Sequence, residues 1–205
     1  MNYEKTDLYF LQRDCLLRFG EEEGEKIYGR ASKLYAELVV TTDYKNSEAN
    51  KRQLKKLIFP VIAYYKTLRF FGYKEGAALG LVRSETEKAA AECAEALKNQ
   101  LRKMFPYYAF KRNIKRFIAS KFPAPACVYE NLSVKGKQIT FSIRECVYYT
   151  ISHKFGCPEL CKVFCDYEKI AFAGLYPVIG CERGNILSEG HEQCDFSFVK
   201  VKKNK

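Results

Sequence analysis

The chain of 205 residues has no tryptophan, two methionines, six prolines and two histidines, His153 and His191. Two histidines are too few for a His-rich metal site, and no metal is expected. The nine cysteines contain no Cys-x-x-Cys pair, so zinc-ribbon and thioredoxin-type redox readings lack their usual motif. No Gly-x-Gly-x-x-Gly or Walker loop is present, and no cofactor is expected. No apolar run approaches the roughly 18–20 residues that a membrane helix needs. The longest, residues 170–181, is broken by Gly174 and Pro177. The first residues are polar and lack a signal-peptide core. The expectation is a cytoplasmic protein without a membrane partner.

What is present is aromatic and basic. Fifteen Tyr and fifteen Phe contribute to a 47% apolar composition, which excludes a disordered chain. The length fits one domain over residues 1–205. Lys and Arg number 35 against 24 Asp and Glu, a formal charge of +11. Lys111, Arg112, Lys115, Arg116 and Lys121 form one basic cluster, and Lys200, Lys202, Lys203 and Lys205 a tail. No nucleic-acid motif accompanies them, so they read as a solvated face and a frayed end. A basic protein of this kind steers anionic small molecules by long-range attraction. Self-association is left open.

Apolar spacing divides the chain in two. Residues 1–122 carry the 3.6-residue period of amphipathic helices. Helices are expected over residues 3–19, 25–40, 48–71, 74–80, 84–104 and 110–120. Pro60 should kink the third, and Ser84 with Glu87 reads as a capping box. Pro106 reads as a turn. After Pro123 and Pro125 the period becomes two. Residues 129–134 and 138–145 read as a hairpin, with Ile139, Phe141 and Ile143 on one face. Helices over residues 146–155 and from Pro158 to about 172 follow, then strands over 178–183 and 193–201. The fold class is α+β: a helical N-terminal half on a C-terminal antiparallel sheet of about four strands with inserted helices.

Seven of the nine cysteines follow residue 126, which places any special chemistry in the C-terminal third. Cys157, Cys161 and Cys165 recur at every fourth position and would share one helix face. That pattern suits a soft-metal or redox site, or plain packing, since buried Cys behaves as a small hydrophobe.

One string in this third is recognisable. It runs Phe141-x4-Cys146-x-Tyr148, Gly156-Cys-Pro158-Glu159-Leu160, Phe164-Cys165-Asp166-x-Glu168, Glu182-Arg183 and Gly190-x3-Cys194-Asp195-Phe196-x-Phe198. It resembles the L-2-amino-thiazoline-4-carboxylic acid hydrolase family over about residues 50–200. Glu168 stands where the family pattern has Asp, and Gly184-Asn185-Ile186 where it carries Thr. The closing strand also looks like that of four-vinyl-reductase-type small-molecule-binding domains, which makes a non-catalytic binding domain the alternative.

The resemblance implies a hydrolase that opens a small cyclic amidine by adding water to the carbon between sulfur and nitrogen. That chemistry needs a nucleophile or activated water, a proton donor and a cation for the substrate carboxylate. Thiolates are the strongest protein nucleophiles near neutral pH when a cation or helix N-terminus lowers their pKa. The candidate catalytic residues are therefore Cys146, Cys165 and Cys194, converging on one pocket with Asp195 or Glu168 as base. Arg183 is the candidate substrate-binding residue, its planar fork matching two carboxylate oxygens. Strand alternation offers a second reading: Cys194, Phe196 and Phe198 face the core, and Asp195 faces away. For Arg183 the second reading is a structural ion pair with Asp166 or Glu168.

Overall fold

The computed structural model describes residues 2–44, 47–102 and 106–202. Met104, Lys203 and Lys205 lie outside them. Helix α1 (Leu11–Phe19) is preceded by turns over residues 3–10, so the expected start at residue 3 is too early. Gly20, at φ +80°, ends it, and α2 (Glu21–Thr41) begins at once, four residues before the expected start. Glu21, Glu22 and Glu23 fill the first turn, where the helix dipole favours acids.

The kink expected at Pro60 is found as a wider helical turn. The sequence forms α3 (Glu48–Gln53), a π-helical turn (Leu54–Ile58) and α4 (Phe59–Phe70). Proline has no N–H to give the carbonyl four residues back. That carbonyl, on Lys56, instead accepts the Asp7 N–H at 2.8 Å. The Phe59 N–H bonds to the Leu54 carbonyl, and the passed-over Lys55 carbonyl accepts the Tyr35 hydroxyl at 3.0 Å. Tyr3 donates its hydroxyl to the Pro60 carbonyl at 2.9 Å. The defect is thus satisfied by partners distant in sequence.

Helix α5 (Glu75–Gln100) runs straight through Ser84, which caps nothing and accepts from Arg18 at 3.3 Å. Its inward stripe, Ala78, Val82, Thr86, Ala89, Ala90 and Leu97, holds the helix together across the apparent start signal. Pro106 opens α6 (Pro106–Arg112) rather than a turn, and Asn113 separates it from α7 (Ile114–Lys121).

Strands β1 (Val128–Lys135) and β2 (Gln138–Glu145) form the expected hairpin around Gly136 and Lys137. Helices α8 (Val147–Lys154) and α9 (Leu160–Ala173) follow, then β3 (Ile179–Arg183), a 3-10 turn (Leu187–Glu189) and β4 (Cys194–Lys200). The sheet is antiparallel throughout, in the order β1-β2-β4-β3. Ile143 pairs with Cys194, Phe141 with Phe196 and Ile139 with Phe198, so β2 and β4 share one apolar face. Phe117, Phe122 and Phe172 pack their rings against it. The fold is α+β.

Helix α9 is clamped between sheet and α5. Past its C-terminus, a Cβ on Gly174 would stand 2.0 Å from the Ala94 carbonyl oxygen of α5. Only hydrogen fits there, and this approach fixes which residues of α9 look toward β3.

Candidate functional site

Along β3 the residues Ile179, Cys181 and Arg183 alternate inward. Their partners on β4 include Phe198 for Cys181 and Phe196 for Arg183. Arg183 is therefore a cation on the apolar face of an edge strand, under α9, with a side chain 11% exposed. Its guanidinium carbon stands 4.8 Å from the centre of the Phe196 ring. Nη1 donates to the Cys165 carbonyl at 3.1 Å and lies 3.8 Å from Glu168 Oε2. Its Nε has no hydrogen-bond partner among the described residues.

Between α9, β3 and the 3-10 turn lies a cavity of about 530 Å³, lined by Cys165, Arg183, Ser188, Cys181, Lys162 and Lys169 among others. Cys165 Sγ is 3.5 Å from Ser188 Oγ. Three contacts favour its thiolate: a hydrogen bond from the Cys161 thiol, another from Ser188, and the Arg183 charge. Together they outweigh burial and bring Cys165 down to about 6. The same contact drives Cys161 far up, because its proton is held against Cys165.

Glu168 sits one turn after Cys165 and is buried. Loss of solvent pushes its carboxyl up to about 8, against the opposing pull of Arg183; the Cys165 charge adds to the rise. At neutral pH this acid is mainly protonated, so it suits proton donation rather than the base role. Its carboxyl borders a second cavity of about 430 Å³, shared with Gln53, Lys121, Tyr148 and Tyr167. There the Gln53 amide donates to the Lys121 carbonyl at 3.2 Å and the Tyr148 hydroxyl at 3.4 Å. Phe172 borders both cavities.

The expected convergence is partial. Cys165, Arg183 and Glu168 come together, and Cys194 joins them from β4. The Cys194 sulfur accepts the Leu187 N–H at 3.2 Å, and burial raises its pKa. Cys146 lies elsewhere, at the N-terminus of α8 against Cys127. That thiol contact, with burial, puts it well above the ordinary thiol range, unlike an activated nucleophile. Asp195 is a correction as well. It faces away from the thiols, and its carboxylate accepts from Gln193 at 2.8 Å, Ser142 at 2.9 Å and Asn185 at 3.0 Å. The alternation of β4 puts successive side chains on opposite faces, so Cys194 and Asp195 cannot share a pocket. His153 is exposed with Nδ1 2.8 Å from the Tyr149 carbonyl, and His191 lies in an exposed loop.

The cysteine trio also divides. Cys157 precedes α9 and has Lys66 and Glu159 as its charged neighbours, whereas Cys161 and Cys165 shift each other's acidity in opposite directions. Sequence reasoning missed Ser188, for which no local signal exists. Among the described residues no group of three or more His, Cys, Asp or Glu side chains is arranged to hold a metal, and no helix is long and apolar enough to cross a membrane.

No curated protein sequence matches the chain. Among solved structures, the crystal structure of an Fe(II) unliganded H-NOX protein from K. algicida aligns over 100% of this chain and 99% of its own, at 8% identity and a TM-score of 0.36. The model of the L-2-amino-thiazoline-4-carboxylic acid hydrolase family matches residues 51–198, a span that holds Cys165 and Arg183 of the first cavity and Glu168 and Tyr148 of the second. By that match over most of its length, the chain belongs to this family.

Proposed function

We propose that the chain hydrolyses a small anionic cyclic amidine of the 2-amino-thiazoline-4-carboxylate kind, with Cys165 as nucleophile and Arg183 as the carboxylate clamp. The observation that carries this reading is a shared wall: thiol and guanidinium border the same 530 Å³ cavity, each beside the other. Lys162 and Lys169 line the same walls together with Asp166 and Glu189, the last 3.9 Å from Lys162, so Arg183 is the cation that tips this wall toward an anionic substrate. Ser188 supplies beside the thiol the hydroxyl that the segment after Arg183 lacks.

In this reading the Cys165 sulfur bonds to the amidine carbon and the C=N electron pair passes to the ring nitrogen, which takes a proton from cavity water. The exocyclic nitrogen's lone pair then forms a C=N bond as the ring C–N bond breaks, and the ring nitrogen leaves as an amine with a second proton from water. Water adds to that C=N carbon, its proton passes to the exocyclic nitrogen, and formation of C=O expels Cys165 as thiolate while the product keeps the ring sulfur. Glu168, behind Arg183, holds the guanidinium against the cavity and is a positioning residue rather than the base. Cys146, Cys194 and Asp195 take no step.

The test is incubation of the full chain with L-2-amino-thiazoline-4-carboxylate, with ring-opened product followed by mass spectrometry. Turnover by the wild type, its loss in Cys165→Ser and a raised KM in Arg183→Lys are expected. Undiminished turnover in Cys165→Ser would overturn the assignment. The second cavity favours an alternative, a non-catalytic small-molecule-binding domain. Its aromatic walls with the Gln53 and Lys121 polar groups suit a ligand that is held, not converted. Thermal stabilisation by the thiazoline without any product would favour that alternative.

A further inference from the structure

A third cavity, of about 530 Å³, opens between α5, α8, the start of α9 and the 3-10 turn. Two helix faces build it. Leu79 and Arg83 lie one turn apart on α5, as do Tyr149 and His153 on α8. The Tyr149 and His153 rings stand 4.1 Å apart between centroids. Arg83 is half-buried, and its Nε is buried with no hydrogen-bond partner. Among the described residues its side chain makes no hydrogen bond and no ion pair. A guanidinium removed from water in this way cannot shed its proton and calls for an anion. The walls do not provide one. Glu159 is the only acid on them among the described residues, and its Oε1 already accepts the Tyr65 hydroxyl. Lys162 adds a second cation, with Glu189 only at 3.9 Å and both side chains half exposed, a pairing of little strength.

We infer that this cavity binds a small organic carboxylate with a flat apolar body, its two oxygens held by the Arg83 guanidinium. The planar fork of arginine matches a carboxylate with two parallel hydrogen bonds. Leu79, Pro158 and Leu187 supply apolar wall, and the Tyr149–His153 pair supplies rings against which a flat body packs. His153 Nδ1, 2.8 Å from the Tyr149 carbonyl, holds its ring beside that of Tyr149. The volume falls within the roughly 300–1,000 Å³ of small-molecule sites. The formal charge of +11 draws an anion toward it. Lys162 and Ser188 line this cavity and also the one under β3. The two sites differ in their cation, Arg83 here and Arg183 there, and binding at Arg83 does not depend on the hydrolysis proposed above.

The experiment titrates the full chain with sodium benzoate and follows the His153 ring protons by NMR. The chain has two histidines, so the His153 signals are assigned by their loss in His153→Gln. Benzoate should move them saturably, because its ring current falls on a neighbouring ring. Benzamide, the same body without the charge, should not. Arg83→Gln should weaken benzoate binding roughly 10- to 100-fold, the share of charge-assisted hydrogen bonds. Arg83→Met, which keeps the apolar stem, should do the same. Neither change removes an internal hydrogen bond, so both variants should melt close to the wild type. Arg183→Gln should keep the benzoate affinity, since that cation lines the other cavity. A His153 signal that does not move, benzamide bound as well as benzoate, or an affinity unchanged in both Arg83 variants overturns the inference. Benzoate binding lost in a folded Arg183→Gln overturns it too, by assigning the anion to the other cavity; if that variant does not fold, the Arg83 variants decide. Absence of thiazoline turnover refutes the hydrolase alone.

Discussion

The reactivity of Cys165 has a signature in pH rather than in speed. With Cys165 at about 6, half of it is thiolate at that pH. An unperturbed thiol, at about 8.5, is then only about 0.3% ionised, a roughly 160-fold difference. Lower basicity offsets part of this: with a Brønsted slope near 0.45, about 2.5 units make the thiolate roughly 13-fold less nucleophilic. The net advantage over a free thiol is about tenfold at pH near 6, disappears near about 7.4, and reverses above that. Cys157, at about 11, and Cys15 and Cys181, at about 12, should hardly react across the range. The assay is modification by a small neutral disulfide, 2-hydroxyethyl disulfide, with rates per cysteine from peptide mapping between pH values of about 5 and 9. A Cys165 rate that levels off above about 7 is expected. Arg183→Gln should move that plateau upward, because the Cys161 and Ser188 hydrogen bonds remain but the cation is gone. A rate still climbing between about 7 and 9 in the wild type would refute the argument from Arg183 and Cys161.

Three further perturbations test the frame around the site. Gly174→Ala should lower the unfolding free energy by about 3 kcal/mol, read as a large fall in the denaturant midpoint, because its Cβ meets the Ala94 backbone carbonyl and the two helices must part. Glu168→Gln should gain stability over the wild type as pH rises. The folded-state acid at about 8 binds a proton that the unfolded state, near about 4.3, releases, so wild-type stability falls through this window and levels above it, by at most about 5 kcal/mol. Unfolding curves of both proteins across the window check this, and a constant gap between them would sink it. Cys146→Ala should leave any turnover and the Cys165 pH profile unchanged, while costing roughly 1 kcal/mol of packing against Cys127.

How much of this was legible depended on whether a signal was local. The hairpin and the inward face of Cys194, Phe196 and Phe198 follow from a period of two, which one strand carries by itself. Pro60 announced a disturbed helix, because a missing N–H is a property of one residue. Its resolution was not legible, since Asp7 and Tyr35 come from elsewhere in the chain. Ser84 misled because a capping pattern is read over four residues, whereas α5 is held by a buried stripe about five turns long. The site itself needed the sheet order. Arg183 meets Cys165 only because β4 lies between β2 and β3, leaving β3 at the edge beneath α9. Asp195 was placed with Cys194 by adjacency in sequence, which on a strand means opposite faces.

The arrangement around Arg183 explains why one of two neighbouring acids ionises. A buried guanidinium cannot shed its proton, so it requires an anion nearby. Glu168 and Cys165 both border it, and an anion on either disfavours one on the other. Intrinsic acidity favours the carboxyl by several units. Burial and bonding reverse the order: Glu168 borders the second cavity but receives no hydrogen bond on its carboxylate oxygens among the described contacts, while Cys165 receives hydrogen bonds from Cys161 and Ser188. A negative charge is therefore favoured on the Cys165 sulfur, beside the 530 Å³ cavity, and disfavoured on the Glu168 carboxyl. The Glu168 carboxyl stands 3.8 Å from Nη1, and Glu168 lines the second cavity, not the one that Cys165 borders. In Glu168→Asp the shorter acid would draw back from Arg183, and the guanidinium would depend still more on Cys165. The Cys165 plateau should then shift to lower pH, the opposite of its shift in Arg183→Gln.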